Sequence, residues 1–176
     1  MSHLAPLILA AVVALLAGAW DWRSRRIPNW LTVSGTVFGV AVNTAVFRWP
    51  GLKTALLGMA LGLALLLPFV LIRSLGAGDW KMAGALGACL GSGALGDVLM
   101  IAVIVAGVMA LAVVILKGRL KQTLLNIVRM VAAMFSLRMP GQEVSLDNPE
   151  STKIPFGVAL GAAALFYVVL RVRTAI

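Results

Sequence analysis

Residues 54–72 read TALLGMALGLALLLPFVLI, an uncharged run with no alternation of apolar and polar residues. A helix needs about 20 such residues to cross the hydrocarbon core of a bilayer. A helix also satisfies its backbone internally, where no water is available. A barrel strand would alternate, so the run reads as a transmembrane helix. Working outward, similar runs recur at 4–20, 30–47, 80–95, 97–116 and 154–172. The spacing predicts an all-α integral membrane protein with six transmembrane helices, of which 80–95 is the shortest and is rich in glycine. Composition agrees. The chain has 176 residues, 61% hydrophobic and 12% charged, with a mean hydropathy of +1.03. Soluble domains run at about 45–50% and 25%. Residues 1–176 therefore read as a single membrane-embedded domain. A disordered chain, a disulfide-rich secreted domain and nearly every soluble fold are excluded.

The net charge is +9, from 15 basic and 6 acidic residues. In a soluble chain that surplus would point to nucleic acid. Here it follows the positive-inside rule, and no nucleic-acid partner is expected. The first run has no basic residues before it, and Arg23, Arg25 and Arg26 follow it. This order argues against a cleaved signal peptide and places the N-terminus outside. Three inner loops then carry Arg23, Arg25 and Arg26; Arg73 and Lys81; and Lys117, Arg119, Lys121, Arg129, Arg138 and Lys153. The outer segments keep Arg48, Lys53, Arg171 and Arg173, and the last two run against the rule. Trp20, Trp22, Trp30, Trp49 and Trp80 all fall near predicted span ends, where an indole is stable at headgroup level. Glycines four apart at Gly35/Gly39, Gly58/Gly62, Gly87/Gly91 and Gly157/Gly161 predict tight helix packing, and Pro68 predicts a kink.

The inner loop 117–153 has its own pattern. Leu120, Leu124, Ile127, Val128, Val131 and Phe135 recur at helical spacing opposite Arg119, Gln122, Asn126 and Arg129. This predicts an amphipathic helix on the inner membrane surface, in contact with lipid. Residues 139–153 are polar and hold Glu143, Asp147 and Glu150, read as a solvated loop.

Few residues can carry chemistry. The single histidine, His3, lies at the N-terminus, and the single cysteine, Cys89, lies in an apolar run and reads as a small buried hydrophobe. A serine triad, a cysteine–histidine pair, an intrachain disulfide and a Cys/His metal centre are excluded, and no metal or cofactor is expected. Among the carboxylates, Asp97 reads as the N-cap of the fifth span. Asp21 and Asp79 both fall at predicted inner boundaries. Each has an ordinary explanation: Asp21 can pair with Arg25 one turn on, and Asp79 can cap the fourth helix after Gly76 and Gly78. Together, two ionisable groups at one membrane depth suggest a dyad that shares a proton and activates water.

Gly76-Ala77-Gly78-Asp79 matches the GxGD pattern. The longer GAGDWKMAGALGACLG over 76–91 resembles the corresponding stretch of bacterial type IV prepilin peptidases, which are intramembrane aspartyl proteases. DWRSRRIPN over 21–29 resembles the segment holding their first catalytic aspartate, and Ile154-Pro155-Phe156-Gly157 resembles the element that opens their last helix. The resemblance implies a hydrolase that cleaves the leader from prepilins or pilin-like proteins at the cytoplasmic face of the bacterial inner membrane. Asp21 and Asp79 would be the catalytic pair. Gly76 and Gly78 would let the backbone approach an extended substrate. Pro28 and Asn29 would shape the turn into the second span, and Pro155 and Gly157 would lie near the substrate. Lys81 would either bias Asp79 or reach phosphate headgroups. The paired-cysteine N-terminal segment of the long, methylating family members has no counterpart here. The chain thus resembles the short form of tight-adherence pilus systems, without methyltransferase activity or zinc. Archaeal preflagellin peptidases share the layout. The competing reading is a non-enzymatic transporter subunit or assembly factor, in which the two aspartates would bind protons or cations. Against it, no acidic residue lies deep within a span. The pilin substrate, its cleavage junction and the oligomeric state are left open.

Overall fold

The computed structural model describes residues 4–72, 74–118, 125, 128 and 155–175. The described residues are mostly helical, with no strand among them. The helices are α1 (Ala5–Ser24), α2 (Asn29–Leu71), α3 (Ala77–Leu90), α4 (Ser92–Leu116) and α5 (Phe156–Ala175). Four of these, α1, α2, α4 and α5, are long and apolar enough to cross a membrane. Of the expected amphipathic helix only Leu125 and Val128 are described, both helical; the rest of it and the carboxylates of 139–153 lie outside the described residues.

Helix α2 is 43 residues long but is not a straight rod. Arg48 leaves helical geometry at φ 59, ψ −139, with Pro50 two residues on. The two arms then run in opposite directions along α3. Gly35 approaches Ala85 and Gly39 approaches Cys89, whereas Gly58 meets Gly87 and Gly62 meets Ala83. The predicted runs 30–47 and 54–72 are these two arms. The break falls at Arg48. Pro68, expected to kink the helix, sits near its end with helical dihedrals kept around it.

The sequence pattern placed the next boundary between Leu95 and Asp97. It lies instead at Gly91, whose φ of +83 is a conformation that side chains rarely adopt. Helix α4 therefore begins at Ser92, and Asp97 is an exposed residue inside it rather than its N-cap. The Gly91 turn folds α4 back on α3, bringing Leu95 to Gly87.

With 14 residues, α3 spans about 21 Å, short of the roughly 30 Å hydrocarbon core. It occupies the centre: Met82 through Cys89 are all buried, wrapped by both arms of α2 and by α1, α4 and α5. Small residues make this possible. A Cβ on Gly58 would collide with the Gly87 carbonyl, so the α2 and α3 backbones touch there. All four Gly-xxx-Gly pairs have a member in such contacts within the chain, Gly161 lying against the Ala14 carbonyl of α1. The outward faces are apolar, with Met100, Val103, Ile104 and Val108 on α4 largely exposed, as lipid contact requires.

Two side chains satisfy backbone groups in this apolar interior. Asn43, 5% exposed, donates through Nδ2 to the Ala88 and Cys89 carbonyls at 3.0 and 2.8 Å, two of the acceptors that the end of α3 leaves without helical partners. Trp80 donates its indole N–H to the Leu63 carbonyl at 2.7 Å, fixing the start of α3 to the second arm of α2. Cys89 is buried, as expected of a small hydrophobe, with its thiol toward the Gly35 carbonyl.

Candidate active site

Four chain segments meet at one end of the bundle: the end of α1 and the starts of α2, α3 and α5. Asp21 lies in the last turn of α1 and is 5% exposed. Just after it, Arg25 adopts the left-handed conformation (φ 51) and donates its N–H to the Asp21 carbonyl at 2.8 Å, ending the helix. The chain then turns through Arg26 and Ile27 to Pro28, whose carbonyl accepts the Leu31 and Thr32 N–H groups and starts α2. Asp79 stands in the first turn of α3, behind Gly76, the N-cap. Its carboxyl reaches back to the Gly76 N–H, the return half of a capping box.

The two carboxylates come together over α5. The first N–H groups of a helix have no helical acceptor and point out along its axis. At the start of α5, the Val158 N–H donates to Asp21 Oδ2 at 3.2 Å, and the Gly157 N–H faces both Asp21 and Asp79. A Cβ on Gly157 would stand 2.8 Å from Asp21 Oδ2 and 2.9 Å from Asp79 Oδ1. The two oxygens are thus no farther apart than the sum of these distances, and they meet on the one residue type that leaves room for both.

Asp79 lies outside the four helices long enough to span the membrane. Its carboxyl is held up at about 7, first by burial and then by the facing Asp21 carboxylate, against the pull of the Gly157 and Gly76 N–H groups. Two such groups titrate as a pair, so the proton held by one is coupled to the charge on the other. A cavity of about 330 Å³ opens beside them, bordered by Asp21, Asp79, Arg25, Ile27 and the Gly76–Gly78 backbone. That space is large enough to admit water. One carboxylate to accept a proton, one carboxyl to donate one and room for water are the requirements of acid–base hydrolysis.

The residues that the resemblance implied lie at this end of the bundle, whereas Asp97 and Cys89 line a cavity at the other end. Asp21, Asp79, Gly76 and Gly78 border the cavity at this end. Gly157 lies under the carboxylates, and the Pro155 carbonyl accepts the Val158 N–H at 3.2 Å. Lys81 is turned from Asp79 to α2, donating to Asn29 Oδ1 at 2.9 Å, while Pro28 forms the turn beside it. Two contributors were not foreseen. Ile27 is buried and packs against Gly78, close enough that a Cβ there would lie 3.3 Å from its own. Its signal was a lone hydrophobe between Arg26 and Pro28. The Val158 N–H was the other, and a backbone group leaves no signature in sequence.

No curated protein and no solved structure matches the chain. The family model described as the type IV leader peptidase family matches residues 8–115, more than half of the chain and a stretch that holds both Asp21 and Asp79, so the chain belongs to that family.

Proposed function

We propose that this membrane peptidase is an aspartic endopeptidase that removes the leader from type IV prepilins or pilin-like proteins, with Asp21 and Asp79 as its catalytic pair. The observation that carries the reading is the meeting of the two carboxylates over Gly157 beside an open cavity. The ionised carboxylate takes a proton from water, and the water oxygen attacks the scissile carbonyl carbon. The other carboxyl gives its proton to the carbonyl oxygen. The tetrahedral adduct then collapses, and the leaving nitrogen departs with a proton from the pair. Asp21, held by the α5 N–H groups, serves as the base; Asp79, whose proton is retained to about 7, serves as the acid.

The cytoplasmic face of the inner membrane is the side we assign to this site. Arg23, Arg25, Arg26 and Lys81 gather at the same end as the carboxylates, in keeping with the positive-inside rule. In this reading the two arms of α2 run in opposite directions and α4 folds back along α3, which brings the end of α4 to this same end.

The test is co-expression with a small prepilin, read by gel shift and N-terminal sequencing at matched membrane levels. Wild type and Arg173→Gln, altered at the opposite end of the bundle, should cleave. Asp21→Asn and Asp79→Asn should each lose at least about a hundredfold in rate while remaining folded and inserted. Near-normal cleavage by either purified aspartate variant would sink the dyad.

A further inference from the structure

The end of the bundle opposite the carboxylates holds a second, larger cavity of about 720 Å³. This lies within the roughly 300–1,000 Å³ of small-molecule sites. It opens where α3 stops short. Cys89 and Leu90 of α3 form one wall, Gly93, Ala94 and Asp97 of α4 another, and Tyr167 and Arg171 of α5 a third. Leu7, Phe47 and Pro50 add apolar wall beside Leu90 and Ala94, while Asn43 and Thr54 add polar atoms to it. Apolar walls hold water poorly, and an empty void forfeits the contacts of every atom that lines it. In a bilayer the available filler is hydrocarbon.

The rim is polar in a specific way. Arg171 donates through Nε to the Tyr167 hydroxyl at 2.8 Å, and its guanidinium carbon lies 5.3 Å from the centre of the Tyr167 ring. These contacts fix the side chain from one side. They leave its Nη groups without a partner among the described residues and leave the phenol proton free to donate. Asp97 lines the same cavity from α4 and acts on Arg171 through space. The rim thus offers a fork of donors for a phosphate and, across from it, a carboxylate for an ammonium. Arg171 and Asp97 together carry no net charge, so a purely anionic headgroup would gain one contact and be repelled by the other.

We propose that this cavity is a lipid site for a phospholipid with a zwitterionic phosphate–primary-amine headgroup, its phosphate on Arg171 and Tyr167, its ammonium on Asp97 and an acyl chain in the apolar recess. The site accounts for an arginine that the positive-inside rule does not explain, and it is independent of the peptidase chemistry at the other end.

The experiment is native mass spectrometry of the full chain in detergent, titrated with phosphatidylethanolamine, phosphatidylglycerol or phosphatidylcholine of the same acyl chains. Wild type should retain one phosphatidylethanolamine in preference to the other two. Arg171→Gln should weaken it at least about tenfold, the cost of one charge-assisted hydrogen bond. Asp97→Asn should abolish the preference over phosphatidylglycerol. A Cβ on Gly93 meets nothing within 4 Å, so Gly93→Leu adds bulk to the wall of the recess at a position with room for it and should weaken lipid retention. Equal retention of all three lipids by wild type, or wild-type retention by Arg171→Gln or Gly93→Leu, would overturn the proposal.

Discussion

Gly157→Ala isolates the geometry of the carboxylate pair from the stability of the bundle. The added Cβ would stand 2.8 Å from Asp21 Oδ2, 2.9 Å from Asp21 Cγ and 2.9 Å from Asp79 Oδ1. Ordinary van der Waals contact begins near 3.4 Å. Each carboxylate must therefore retreat by about 0.5 Å from the added methyl, which disturbs both its distance to the other and its hold on the α5 N–H groups. A misplacement of 1 Å can cost about a hundredfold in rate, so roughly tenfold to a hundredfold is expected here. Alanine is otherwise better than glycine in a helix by about 1 kcal/mol, and position 157 is in the first turn of α5. The purified variant should thus melt within a few degrees of wild type while kcat for leader cleavage falls. The assay is prepilin cleavage in detergent micelles, with thermal unfolding measured on the same preparation. Cleavage within about twofold of wild type, at unchanged thermal stability, would show that catalysis does not depend on carboxylates meeting over Gly157.

The raised Asp79 pKa makes two pH predictions. Loss of the proton donor above about 7 should lower cleavage about tenfold per pH unit, measured on solubilised enzyme; a rate that stays level well above that pH would exclude Asp79 as the acid. For stability, the unfolded carboxyl ionises near 3.8 and the folded one near about 7. Between these values the folded state keeps a proton that the unfolded state has lost, so stability falls as pH rises through the window and levels off above it. Asp79→Asn should flatten that slope in thermal melts, and an unchanged slope would place its origin elsewhere. Asn43→Leu keeps the size but strips the Ala88 and Cys89 carbonyls of their donor, and should lower stability by about 1–3 kcal/mol in detergent unfolding.

What the sequence determined by itself was whatever depends on local properties of the chain. Hydropathy is such a property, so the apolar runs, the helical class and the membrane setting are legible in 61% hydrophobic composition and runs such as 54–72. The scarcity of ionisable residues likewise reduced the candidates to Asp21 and Asp79. The boundary at Gly91 was misplaced because Gly87, Gly91, Gly93 and Gly96 are equivalent as letters, and only Gly91 takes a positive φ in a place where a Cβ would strike Thr54. The reversal at Arg48 had Pro50 as a partial signal, but packing on α3 fixes how its arms run. Tertiary structure alone joined Val158 to Asp21, 137 positions apart, and set Gly157 between two carboxylates. No spacing encodes that meeting. It follows from backbones that approach at glycine–glycine contacts, and from the direction in which the first N–H groups of α5 point.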